Sequence, residues 1–165
     1  LVNAPPVARS ILTGLALATP VLILAALLRG AEYDEQYTLF LTGQAVRPDW
    51  GEAVFPAAAV QALQQPRFDP LGLARALRET DVHPPLYFWL ISAWRVLLGE
   101  SLLMLRLFSV VCGLVSLVLV ALLVRDHGGR PLTAMLLTLG SYGFVYTAGI
   151  GRGFALAIVL VLTGA

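Results

Sequence analysis

Leu107 to Val124 is eighteen residues without a charge. A stretch of that length and composition suits the interior of a bilayer, where every backbone polar group must be satisfied inside the segment, so it has to be helical. Ile11 to Leu28 is a second such run and contains Pro20, which a membrane helix tolerates. Pro131 to Gly149 is a softer third run with Ser141, Tyr142 and Tyr146, and Gly153 to Ala165 opens a fourth. Composition agrees. Hydrophobic residues are 58% of the chain, charged residues 13%, and the mean hydropathy is +0.81. A soluble domain carries about 25% charge, so a soluble monomer is excluded, and disorder is excluded by the same apolar content.

The expected fold class is an all-α integral membrane protein. The expected spans are about 10–29, 103–124, 131–150 and 153–165, the last truncated, with an external loop over about 30–100. The chain begins at Leu1 and stops inside an apolar run, and we read 1–165 as the N-terminal part of one larger membrane domain. Net charge is +1 and all eleven basic residues are Arg. No basic run is present, so nucleic acid is not an expected partner. Cys112 is the single cysteine and allows no internal disulfide.

Pro84 to Leu98 is apolar but short, with Arg95 near its end and Tyr87, Trp89 and Trp94 within it. Such a segment suits the membrane interface. If it does not cross, the Arg125–Arg130 loop shares the side of Arg9, as short Arg-rich cytoplasmic loops do. The N-terminus is then cytoplasmic and the 30–100 loop external. Tyr33, Tyr37, Phe40 and Leu41 form one helical stripe in that loop. Asp69-Pro70 is a helix start, with Leu73, Ala74 and Leu77 on one face. Phe55 to Gln65 is a third short helix. The loop is expected to fold as a cap on the outer leaflet.

Four features could carry chemistry. Glu32-Tyr33-Asp34-Glu35 follows the first span directly. It is either a solvated acidic helix start or a base or metal ligand at the membrane surface. Adjacent helical residues point about 100° apart, so of Asp34 and Glu35 one would act while the other orients or neutralises it. Asp81-Val82-His83-Pro84-Pro85 holds His83 before a stiff double proline, either as an ordinary loop histidine or as a donor to a lipid phosphate. Arg152, between Gly151 and Gly153, either snorkels or contacts a phosphate or sugar. Arg106 either snorkels or pairs with a loop carboxylate. His127 has no expected chemical role.

Taken in order, these residues resemble the N-terminal module of GT-C-type glycosyltransferases. The carriers are Tyr33-Asp34-Glu35-Gln36-Tyr37 after a first span, His83-Pro84-Pro85-Leu86-Tyr87, Leu105-Arg106-Leu107 entering a span, and a later span ending near Arg152. Protein-mannosyltransferase-like and lipid A aminoarabinose-transferase-like bacterial proteins are the nearest in pattern. The resemblance implies a sugar donor on a polyprenyl phosphate, a lipid, glycan or protein acceptor, and a plasma (inner) membrane location with the active site outside. It implies Asp34 as the base with Glu35 its acidic neighbour, and His83 and Arg152 at the donor phosphate. Some relatives use a divalent metal and some do not; Asp34 is the candidate ligand, and no other cofactor is implied. The chain lacks the later spans of such enzymes, so this stretch is expected to be inactive alone. A transporter or flippase segment, or a non-catalytic membrane subunit, are the competing readings.

Overall fold

A computed structural model describes residues 6–43, 56–80 and 83–164. Its described residues form α1 (Pro6–Leu28), α2 (Tyr33–Leu41), α3 (Ala57–Leu63), α4 (Pro70–Thr80), α5 (Pro85–Leu98), α6 (Leu102–Asp126), α7 (Pro131–Leu139), α8 (Tyr142–Gly149) and α9 (Phe154–Thr163). The described residues are all-α, and their long apolar helices make this a membrane protein. Of the described helices, α1 and α6 are long and apolar enough to cross a bilayer, at 23 and 25 residues. The chain divides into two units, 1–29 with 109–165, and 30–108.

The first unit is built on a stripe of small residues. Gly14, Ala18, Leu22 and Ala26 are the buried positions of α1 and recur every fourth residue, down one helix face. Leu12, Leu17, Val21, Leu24, Leu27 and Leu28 on the same helix are exposed. That is the pattern of a helix whose apolar outer surface meets lipid and whose small residues admit neighbouring helices. A Cβ on Gly14 would run into the Met135 side chain of α7, and one on Gly113 of α6 into the Ala148 methyl of α8. Leu117, Ala121 and Phe144 complete this core.

The apolar run 131–150 forms two helices, because Gly140 closes α7 and Ser141 adopts an extended conformation (φ −77°, ψ 122°) before α8. Between α8 and α9 the chain bends by 113°. Ile150 is extended there, and the Arg152 N–H donates to the Ile150 carbonyl at 2.8 Å, tightening the turn. Arg29 sits over the Tyr146 ring, 3.8 Å from its centroid. A cation–π contact of this kind holds a guanidinium that an apolar environment would otherwise penalise.

The second unit carries the loop helices. Asp69 starts α4 as its sequence implies: the carboxylate accepts the Gly72 N–H at 2.9 Å, and Pro70 takes the first helical position. Leu73 and Leu77 are buried on the inner face of α4. The Trp89 indole of α5 donates to the Pro70 carbonyl at 2.9 Å, fixing one end of α4 against α5. At 14 residues, α5 spans roughly 21 Å, short of the ~30 Å hydrocarbon core. The expected helix from Phe55 to Gln65 is described over Ala57–Leu63, and Phe55 lies outside the described residues.

Candidate functional site

The acidic pair opens α2. Glu32 precedes the helix in an extended conformation, and Tyr33, Asp34 and Glu35 form its first turn. The ~100° step between neighbours sends the two carboxylates in different directions: Asp34 is exposed and Glu35 is fully buried. The Glu35 carboxylate accepts from Arg106 twice, Nε to Oε1 at 2.8 Å and Nη2 to Oε2 at 2.6 Å. Its Oε2 also accepts the Glu32 N–H at 3.1 Å, closing the first turn of α2 on itself. Arg106 Nη2 donates in addition to the Gly30 carbonyl at 2.7 Å. One guanidinium of α6 therefore fixes both the entry to α2 and its first turn. This is the pairing with a loop carboxylate that the position of Arg106 allows. A forked, charge-assisted pair of this kind fixes direction as well as distance. The division of labour inside the acidic pair follows from it: Glu35 is neutralised and holds the turn, while Asp34 is presented outward.

His83 is exposed and lies two residues before α5. Pro84 is extended (φ −59°, ψ 135°) and Pro85 opens the helix, so the approach to α5 has little freedom. The His83 ring meets Phe88 edge to face at 6.4 Å. From there an aromatic chain runs inward, Phe88 to Tyr87 at 5.2 Å and Tyr87 to Phe108 of α6 at 6.0 Å. The aromatic half of the His-Pro-Pro-Leu-Tyr motif is thus an anchor, which aims the histidine from a rigid base. Asp81 and Val82 lie outside the described residues.

Arg152 belongs to the other unit. It is buried at the α8–α9 bend, and its carbonyl accepts the Ser109 hydroxyl of α6 at 3.3 Å. Within its own unit, the bend places a guanidinium at a break between two apolar helices.

Among the described residues, no three His, Cys, Asp or Glu side chains cluster to hold a metal ion. Divalent Mg or Ca takes six or more oxygen ligands, and Glu35 is already engaged by Arg106. The described side chains alone do not compose a metal centre.

Sequence reasoning passed over Arg95. It is fully buried, and its guanidinium donates to the carbonyls of Leu39 (3.1 Å), Gln64 (2.6 Å) and Glu100 (3.2 Å) and to the Thr42 hydroxyl (2.5 Å). Leu39 and Thr42 are at the end of α2, Gln64 caps α3, and Glu100 follows α5. The last carbonyls of a helix lack partners within it and carry the negative end of its dipole, so one buried cation satisfies the ends of α2 and α3 together with the turn that follows α5. Burial lowers the Arg95 guanidinium to about 10, offset in part by Glu100 and Tyr87. The signal in the sequence was a lone charge in an otherwise apolar helix.

No curated protein and no solved structure matches the chain. Residues 82–163, just under half of the chain, match the family model described as dolichyl-phosphate-mannose-protein mannosyltransferase. That stretch includes His83, Arg106 and Arg152 and leaves Asp34 and Glu35 outside it. Over that stretch the chain is similar to the family.

Proposed function

We propose that the protein is a module of a membrane glycosyltransferase that moves a sugar from a polyprenyl-phosphate carrier to an acceptor hydroxyl at the external face of the plasma membrane. Support comes from the family match and from one structural observation: Glu35 is locked by Arg106 while its neighbour Asp34 is exposed. A base must be directed towards its substrate, and its nearest carboxylate must not compete for the same proton.

In this reading Asp34 accepts the proton of the acceptor hydroxyl. The acceptor oxygen forms its bond to the anomeric carbon as the bond from that carbon to the phosphate oxygen breaks. The carrier phosphate leaves with the electron pair, and the anomeric carbon is inverted. The departing phosphate is already anionic, so it needs cations more than a strong acid. His83 and Arg152 are the groups assigned to it. Glu35 and Arg106 are positioning residues. The carrier lipid brings the donor to the membrane surface, so proximity supplies part of the rate. A lipid, a glycan or a protein hydroxyl would each satisfy this chemistry as acceptor.

The test uses the full-length protein extracted in nanodiscs. Native mass spectrometry should find co-purified polyprenyl phosphate or its sugar-loaded form. Asp34→Asn should keep the carrier and lose transfer; His83→Ala and Arg152→Ala should lose the carrier. Full transfer activity in Asp34→Asn would overturn the reading. The bend at Arg152 also suits a transporter, where charged residues sit at broken helices. Carrier translocation without sugar transfer would select that alternative.

A further inference from the structure

A cleft of about 340 Å³ opens within the second unit, lined by Gln36 of α2, Gln61 of α3, Gln64, Glu100 and Ser101, with Leu39 as part of its apolar wall. Its volume lies near the lower end of small-ligand sites, about 300–1,000 Å³. We propose that this cleft binds a neutral, hydroxyl-rich ligand, a sugar ring of the acceptor.

The walls are held before any ligand arrives. Leu39, Gln64 and Glu100, from three separate segments, each give their backbone carbonyl to the buried Arg95 guanidinium. Gln64 Nε2 also donates to Gln36 Oε1 at 2.8 Å, which orients both amides and leaves Gln36 Nε2 and Gln64 Oε1 for a ligand. Ser101 Oγ accepts the Met104 N–H at 3.2 Å at the start of α6, which holds the oxygen in place and leaves its hydroxyl hydrogen able to donate. Fixed polar groups of this kind bind without a large ordering cost.

The lining chemistry selects the ligand. Side-chain amides and a hydroxyl offer donors and acceptors side by side, as adjacent hydroxyl groups do. Arg95 Nη1 and Nη2 are engaged by the Leu39, Gln64 and Glu100 carbonyls and the Thr42 hydroxyl, and no lining side chain is basic. Glu100 is the one acidic residue of the lining. Phosphate and carboxylate ligands are therefore repelled, and a neutral polyol is favoured. Gln36 is two residues from Asp34, about 200° round the helix, so the cleft opens on the far side of α2 from the exposed carboxylate. A ring bound there is not the one whose anomeric carbon reacts at Asp34. That it belongs to the acceptor rests on the transferase reading; the sugar chemistry of the cleft does not.

Saturation-transfer NMR on the protein in nanodiscs tests this, with free neutral hexoses, a hexuronic acid and inorganic phosphate as probes. Neutral sugars should receive saturation and the two anions should not. The sugar signal should fall at least five-fold in Gln61→Leu and in Gln36→Leu and persist in Asp34→Asn. Gln61 is exposed on a short helix, so its variant keeps the fold. Absence of transfer to every neutral hexose, a signal undiminished from wild type in both glutamine variants, or preference for the anions would overturn the proposal. In a turnover assay Gln61→Leu should raise KM for a glycosylated acceptor and leave KM for the donor unchanged. A raised donor KM would overturn the assignment to the acceptor. If the wild-type protein transfers no sugar while sugar binding is lost in the glutamine variants, the transferase reading fails and the sugar site stands.

Discussion

Removing either partner of the Glu35–Arg106 pair should unfold more than the pair itself. The side chains are 0% and 4% exposed, so each would leave the other charged and dry. Breaking such a buried pair from one side costs about 3–5 kcal/mol, whereas replacing both partners with apolar groups of similar size is often near neutral. Arg106→Met also orphans the Gly30 carbonyl, and Glu35→Gln leaves one N–H of the guanidinium facing another donor. For a chain of this length, 1 kcal/mol shifts the melting temperature by about 2–4 °C. Each single variant should therefore melt at least 6 °C below wild type, and Glu35→Leu with Arg106→Met should recover most of the loss. Trp89 and Trp94, both on α5 in the same unit, report the transition by fluorescence. The buried pair should also be nearly indifferent to salt, because screening acts on exposed charges. Transfer should follow geometry rather than binding: Arg106→Met should lower kcat with carrier retention unchanged. The reasoning fails if both single variants melt within 2 °C of wild type, or if the double variant is as unstable as the sum of the singles.

Three other outcomes follow from the same contacts. Asp34→Asn should reduce transfer by about 10²–10⁴-fold, the worth of a positioned base, with the melting temperature falling by no more than about 4 °C, because the contacts of an exposed charge contribute at most about 1 kcal/mol; a larger loss of stability would make Asp34 structural. Arg95→Met should destabilise the second unit by at least about 3 kcal/mol, since carbonyls of three segments lose a charged donor in a buried setting. Burial lowers the folded guanidinium to about 10, below the unfolded one, so above about pH 10 the unfolded chain binds the extra proton and wild type gains stability on Arg95→Met only as pH rises past that value; a slope between pH 6 and 9 would refute it. Gly113→Leu should disrupt the first unit and leave the Trp89 and Trp94 signal native at low temperature, because its Cβ meets Ala148 of α8; unchanged thermal stability would mean that α6 and α8 do not approach as described.

What could be read in the chain and what could not divides along the reach of each interaction. The spans at α1 and α6 and the capped start of α4 depend on neighbours in sequence: an apolar run of bilayer length, an Asp before a Pro. Both were legible. The separation of Asp34 from Glu35 was legible too, because the ~100° helical step forbids two adjacent carboxylates from sharing a direction. Which one turns inward was not, since that depends on Arg106, 71 residues away. The break of the 131–150 run into α7 and α8 has only Gly140 and Ser141 as its local mark, and Gly in an apolar span signals close packing as readily as a helix end.

Arg95 makes the same point more sharply. Next to Trp94 in an apolar helix it has no partner in its local sequence, yet it is fully buried and its donors reach carbonyls 31 and 56 residues away. An arginine can be buried at that depth when carbonyls of several helix ends are arranged to receive it, a condition no local pattern encodes. Two arginines thus organise the second unit in complementary ways. Arg95 gathers helix C-termini through their carbonyls, and Arg106 gathers a helix N-terminus through the Glu35 carboxylate and the Glu32 turn. Between them α2 is pinned at both ends. A nine-residue helix pinned at both ends can present Asp34 in one direction and Gln36 in nearly the opposite one without tilting. That rigidity is the physical condition for a base on one side and a sugar-selecting cleft on the other to be kept distinct on so short an element.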